Sequence, residues 1–261
     1  MSYRNLEKFG FKLNRNSTHT ARTIMLAELA LLIDWIIDSK ATKTDYLTAI
    51  TEGNCLNKRS VSNRKITANH LAELYTFDLD IPTFRALIYL WTRDEKARPL
   101  MALLMAYTRD SILHDTAQKF LAIPPSDSIS SQDTEIWINE LEQERFSKST
   151  LLTTARNLNS SWTQSGHLVG RVQKTRKTVE ATVGATAFAL FLSYLSGLRG
   201  VQLFQSEFFR ILECSEQEAI GFAQEASQKG WITFRRVTDV IDVQFPHFLT
   251  EKDKDLLIEQ S

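Results

Sequence analysis

Residues 215–245 read SEQEAIGFAQEASQKG-WITFRRV-TD-VIDVQF, and this stretch decides the fold. Ser215 and Glu218 have the spacing of a capping box, in which a hydroxyl and a carboxylate three residues apart satisfy each other's backbone N–H groups. The pattern predicts a helix over Ser215–Lys229. After Gly230, the runs Trp231–Val237 and Asp239–Phe245 are rich in β-branched and aromatic residues, with Thr238-Asp239 at the turn, and predict a hairpin. Upstream, Val183–Gly197 and Leu203–Glu213 carry helical patterns. Three helices followed by a hairpin are the layout of a winged helix, here over residues 183–248. Its third helix holds Glu216, Glu218 and Glu225 against Lys229, a poor balance beside phosphates, so a structural or partner-docking role is expected of it. Gln217, Gln224 and Gln228 on its exposed face leave base readout open, and Arg235 and Arg236 in the wing can touch a backbone.

Moving further upstream, the charge changes sign near residue 145. Asp133, Glu135, Glu140, Glu142 and Glu144 precede it, with no Lys or Arg between residues 126 and 144. From Arg145 to Val179 the charged residues are Arg145, Lys148, Arg156, Arg171, Lys174, Arg176 and Lys177, without an Asp or Glu. Lys+Arg and Asp+Glu are each 31, so any electrostatic function rests on such local segregation. Within this segment a helix is expected over Ser149–Gln164. At about 100° per residue, Leu151, Ala155, Leu158 and Trp162 form one stripe. Ser149, Thr153, Arg156, Asn157, Ser160 and Gln164 lie opposite. Short hydroxyls, amides and an Arg can approach a phosphate backbone closely, or reach base edges from a major groove. The candidate DNA-binding residues are therefore Lys148, Ser149, Thr153, Arg156, Asn157, Ser160 and Gln164, with Arg171, Lys174, Arg176 and Lys177 as wing or phosphate clamp. A solvated surface helix or an acidic protein partner would fit the same pattern.

The first half reads as helical, with periodic runs from Ile24 to Ile37 and over Thr44–Thr51, Ser62–Tyr75, Pro82–Thr92, Ala97–Asp110 and Ile112–Leu121. A second basic cluster, Lys58, Arg59, Arg64 and Lys65, opens one of these helices, where free N–H groups add to its attraction for anions. Part of it can equally pack its stems on the core. Residues 124–134, PPSDSISSQDT, read as a linker. A short helix is expected at Glu135–Glu144, and a Gly-bounded strand after Gln164. The expectation is a mainly α protein. It has an N-terminal helical domain over residues 1–125 and a C-terminal region over 126–261, with one or two winged-helix-like units and a small hairpin. The basic segment is 145–179.

Several function classes find no support. The five histidines do not fall at metal-ligand spacing, and neither metal nor cofactor is expected. No Gly-rich phosphate loop or nucleophile–base motif is present, so no catalytic residue is expected. Cys55 and Cys214 read as two reduced thiols of a cytoplasmic protein. Ile24–Ile37 is interrupted by Glu28 and Asp34, and Val183–Leu198 falls short of the ~20 residues a membrane span needs.

The stretch Glu52-Gly-Asn54-Cys-Leu56-Asn-Lys58-Arg59-Ser60-Val-Ser62-Asn-Arg64-Lys65 resembles a motif of the BrxA family, a small component of bacteriophage exclusion (BREX) systems. That motif has an acidic residue, Asn and Leu, then Arg-Ser/Thr with a downstream basic pair. Phe146-Ser147-Lys-Ser149-Thr150-Leu151, running to Ser165-Gly166-His-Leu168, is similar to the family's second landmark. Arg22–Glu28 is loosely similar to its first helix. The lead Asn14–Thr20 lacks the family's glycines, and residues beyond about 180 lie outside the resemblance. The resemblance implies a helical, non-enzymatic DNA-binding accessory protein working beside the other subunits of a defence complex. Double-stranded DNA is thus the expected partner. A protein-interaction adaptor and an operon-specific transcriptional regulator are the alternatives.

Overall fold

In the computed structural model, residues 6–13, 17–36, 40–143, 145–171, 173–238 and 240–258 are described. Asn14, Ile37, Glu144 and Asp239, which figure in the expectations above, lie outside them. The architecture is mainly helical with two small antiparallel sheets.

The N-terminal helices are α1 (Leu26–Trp35), α2 (Lys43–Thr51), α3 (Val61–Tyr75), α4 (Pro82–Trp91), α5 (Arg98–Tyr107) and α6 (Ser111–Leu121). Their starts are set locally. Thr42 and Asp45 form a capping box on α2, Ser60 caps α3, prolines sit in the first turns of α4 and α5, and Asp110 caps α6. Helix α5 is buried from Leu100 through Tyr107, which is why its sequence is apolar on every side.

Helix α6 then opens a second unit: β1 (Ser128–Ile129), α7 (Ser131–Leu141), α8 (Lys148–Gln164), β2 (Leu168–Val169) and β3 (Lys174–Arg176). The sheet order is β1-β3-β2, with Ile129 opposite Lys174 and Leu168 opposite Arg176. Helix–strand–helix–helix–strand–strand in that order is the winged-helix topology, with α8 as third helix and β2–β3 as wing. Its core is aromatic. Phe120 stacks on Trp162 at 5.0 Å and meets Trp137 edge-on at 5.3 Å, joining α6, α7 and α8.

The stretch 124–134, expected as a linker, thus contains β1 and the first turn of α7. Ser130 and Asp133 cap that helix, and Ile129 and Thr134 are buried. Helix α7 starts earlier than expected for that reason.

The third unit is α9 (Val183–Leu195), a 3-10 segment (Gly200–Gln205), α10 (Glu207–Leu212), α11 (Glu216–Gln228), β4 (Thr233–Val237) and β5 (Val240–Gln244), followed by α12 (Glu251–Ile258). The hairpin pairs Thr233 with Gln244 through to Val237 with Val240. The helix expected over Leu203–Glu213 is divided, because Ser206 is extended and the segment before it turns as 3-10 against β5. Helix α9, buried almost all round, packs on α4 and α5 as well as on α10 and α11.

Two polar ties fasten the second unit to the third. His167 Nε2 lies 2.8 Å from the Ile211 carbonyl, and the Arg176 guanidinium pairs with Glu213.

Candidate nucleic-acid interface

Ser147 caps α8 by accepting the Thr150 N–H, and no acid occupies the first turn. The end of the helix dipole therefore stays unopposed for an anion. The apolar stripe packs as expected: Ala155, Leu158 and Trp162 are fully buried. On the other side Lys148, Ser149, Thr153 and Arg156 are exposed and Ser160 is half-buried. Thr153 donates its hydroxyl to the Ser149 carbonyl at 2.9 Å, so it presents lone pairs outward and must rotate to donate to a phosphate.

The wing begins at Gly170, whose φ of +103° and whose absent Cβ, which would fall 2.2 Å from the Gln173 carbonyl oxygen, make glycine necessary there. Arg171 next to it and Lys177 beyond β3 are exposed. Among the described residues, none of Lys148, Arg156, Arg171 and Lys177 is paired with a carboxylate. Lys174 is half-buried and donates to the Gly170 carbonyl at 2.7 Å, closing the turn. Burial lowers its pKa.

Five candidates are committed elsewhere, wholly or in part. Arg176 is 3% exposed, pairs with Glu213, and donates to the backbone carbonyls of His167 and Lys177. Glu213 also accepts the Val179 N–H at 3.2 Å. Arg176 therefore cannot serve as a phosphate clamp; the run of basic residues that suggests one does not reveal that Glu213, from the next unit, covers it. Asn157 donates to the His19 carbonyl at 2.8 Å, and Gln164 accepts the Leu26 N–H at 2.9 Å. Both hold the N-terminal lead onto α8 and are not base readers. Within the second cluster, Lys58 pairs with Glu28 at 3.0 Å, which cancels its charge. Arg64 donates to the Thr51 carbonyl at 3.0 Å, so its guanidinium is partly spent on the C-terminal end of α2. Arg59 and Lys65 remain exposed.

The lead, residues 17–25, runs into the start of α1. Its 3-10 turn Thr18–Thr20 touches both α8 and α3. His19 Nε2 lies 2.9 Å from Ser161 Oγ, and His19 Nδ1 lies 2.9 Å from Asp110 Oδ2, out of line for a hydrogen bond. Ser17 donates to Asp110 Oδ1 at 2.7 Å. Burial opposes the charge on Asp110, but His19 and the donors from Ser17 and Leu113 outweigh it and lower its pKa.

The Ser161–His19–Asp110 connectivity is that of a catalytic triad. All three are fully buried, however, and Ser161 Oγ already donates to the Asn157 carbonyl and accepts the Ile24 N–H. The arrangement is a latch that fixes the lead to α8 and to the start of α6. Arg22, on the same lead, reaches Asn63 of α3 at 3.5 Å, so the lead bridges the two basic clusters.

Among the described residues, no group of three or more His, Cys, Asp or Glu side chains could hold a metal ion, and no helix is long and apolar enough to cross a membrane. No protein-family model matches the chain, and no curated protein matches it.

Proposed function

We propose that this protein binds double-stranded DNA, without chemistry of its own, as a cytoplasmic accessory component of a BREX-like phage-defence assembly. One observation carries the DNA reading. The acid-free basic stretch 145–179 coincides with the third helix and wing of a winged-helix topology, the two elements that ordinarily meet a duplex. Helix α8 enters the major groove with its uncapped-by-acid N-terminal half. Lys148 and Arg156 contact phosphates or base edges from it, and Arg171 and Lys177 hold the flanking backbone. Ser149 and Ser160 add hydroxyl contacts, and Arg59 and Lys65 extend the footprint past the lead. The link to phage defence, and to other subunits as partners, rests on the BrxA resemblance.

Fluorescence-anisotropy titrations across salt test this. Each phosphate neutralised contributes about −0.9 to the slope of log K against log salt. Replacing Lys148, Arg156, Arg171 and Lys177 with Ala should flatten the slope by up to about 3.6 and weaken all sequences alike. An unchanged slope would favour an adaptor that grips an acidic protein. Methyltransferase and other exclusion genes beside this one would support the defence assignment, and their absence would oppose it.

A further inference from the structure

We propose a second duplex contact, on α11 and the β4–β5 hairpin, that lets the chain hold DNA at two places. The inference rests on the DNA reading above and extends it to a surface whose acidic sequence argues against it.

The starting point is Gly221. It lies inside a regular helix and is exposed, and a Cβ built on it would meet nothing within 4 Å. Nothing among the described residues requires glycine there: no left-handed backbone, no close neighbour. Glycine in a helix interior is a cost, so the reason for it lies outside the chain, in something that approaches the helix backbone closely.

The chemistry of the surrounding face identifies that partner. Gln217, Gln224 and Gln228, at helical spacing around Gly221, are exposed. Glutamine amides pair with base edges, adenine above all. None of the large exposed apolar side chains lies on α11. On the helix itself a protein partner would find no apolar anchor of the kind that supplies most of the energy at protein interfaces.

The acids are less of an obstacle than the sequence suggests. Glu218 is bound into the capping box with Ser215, and Glu225 pairs with Lys229 at 3.3 Å. Only Glu216 at the helix start stands free, so the contact falls on the Gly221–Gln228 half. The hairpin adds Arg235 and Arg236, both exposed, below a tip of Val237 and Val240 at 73% and 72% exposure. Asp242 stands opposite Arg235 on β5, so Arg236 is the cation left to a phosphate there. An apolar tip beside it suits a minor groove, where small apolar side chains wedge between base steps.

The test uses the full chain with a duplex of about 12 base pairs, which accommodates one unit, and one of about 30, which accommodates two. The variants are Gly221→Leu, which raises helix propensity while filling the space, and Gln224→Ala/Gln228→Ala. Thermal melts confirm folding. Both variants should bind the long duplex about tenfold more weakly and shorten the hydroxyl-radical footprint, with short-duplex affinity, supplied by α8, unchanged. Wild-type affinity and footprint on the long duplex in both variants would overturn the second contact, leave the face to a protein partner, and spare the α8 reading. Absence of binding by the unmodified protein to either duplex would overturn both.

Discussion

Arg176 and Arg171 lie five residues apart on one hairpin and should behave as different kinds of residue. Replacing Glu213 with Ala leaves the Arg176 guanidinium, whose side chain is 1% exposed, without its counter-charge. Breaking a buried pair from one side costs about 3–5 kcal/mol, because the remaining charge has lost both water and partner. The pair also ties β3 to the end of α10, so unfolding of that junction should follow. At about 2–4 °C per kcal/mol for a chain of this size class, Glu213→Ala should lower Tm by roughly 6–20 °C. Replacing both residues, Arg176→Met with Glu213→Leu, removes the stranded charge and should recover most of the loss. Short-duplex affinity of folded Glu213→Ala protein, and its salt slope on that duplex, should stay at the wild-type value. Arg171→Ala should do the reverse: an unaltered melt, with a slope flatter by about 0.9. Urea melts and salt titrations on the same preparations separate the two. If Arg176→Met melted like the wild type and lost about 0.9 from the slope, Arg176 would be a phosphate ligand and the reasoning from the buried pair would fall.

Asn157→Ala and Gln164→Ala should each destabilise by about 1–2 kcal/mol and leave base preference intact, since they strand the His19 carbonyl and the Leu26 N–H; urea melts and a binding-site selection check this. Gly221→Ala should stabilise by about 0.5–1 kcal/mol, read from the same melts. Gly184→Ala should destabilise by about 1–3 kcal/mol, because the new Cβ would fall 2.8 Å from Asp94 Cβ. Burial works against the charge on His114, but Asp115 and Glu207 overcome it and push its pKa up to about 9. A raised histidine gives stability that is complete below about pH 6.5 and lost as pH rises through 9, up to about 3 kcal/mol; His114→Gln should flatten that limb of the stability–pH curve. Burial drops His167 to about 3, so the folded state refuses a proton that the unfolded chain accepts, and stability should fall as pH drops from about 6.5 toward 3.

The helices and the last hairpin were legible because their signals are local. A capping box, a periodic apolar stripe and two β-branched runs lie within a few residues of the elements they specify. Residues 124–134 misled because a two-residue strand has no periodicity to read, although Ser130 and Asp133 already had capping-box spacing. Within the candidate site, exposure was legible for Lys148, Thr153 and Arg156, whose fate depends on the face of a single helix. It was not legible for Arg176, decided by Glu213 folding back from the next unit, or for Asn157 and Gln164. Those two are covered by the lead, about 138 residues away in the chain, and a helical wheel has no knowledge of what lies on its polar side.

The winged-helix unit and the third unit bear on one another through His167 and Arg176, and this changes what a neutral chain can do electrostatically. Lys+Arg and Asp+Glu balance at 31 each, so no net field draws the protein to a polyanion. Attraction comes from locally exposed cations, first among them those near α8 and the wing. Acids on α7 and at the start of α11 repel phosphate on either side, which confines the approach to a narrow range of orientations. A hold of a few phosphate contacts is weak by itself. If α8 and α11 sit on units fixed to each other by buried polar ties, the second contact becomes intramolecular once the first has formed, and its orienting cost has been met in folding. Loosening the junction should therefore cost affinity for long duplexes while short ones bind as before. The Arg176–Glu213 pair would then support DNA binding by holding the two units in register, without either residue touching the nucleic acid.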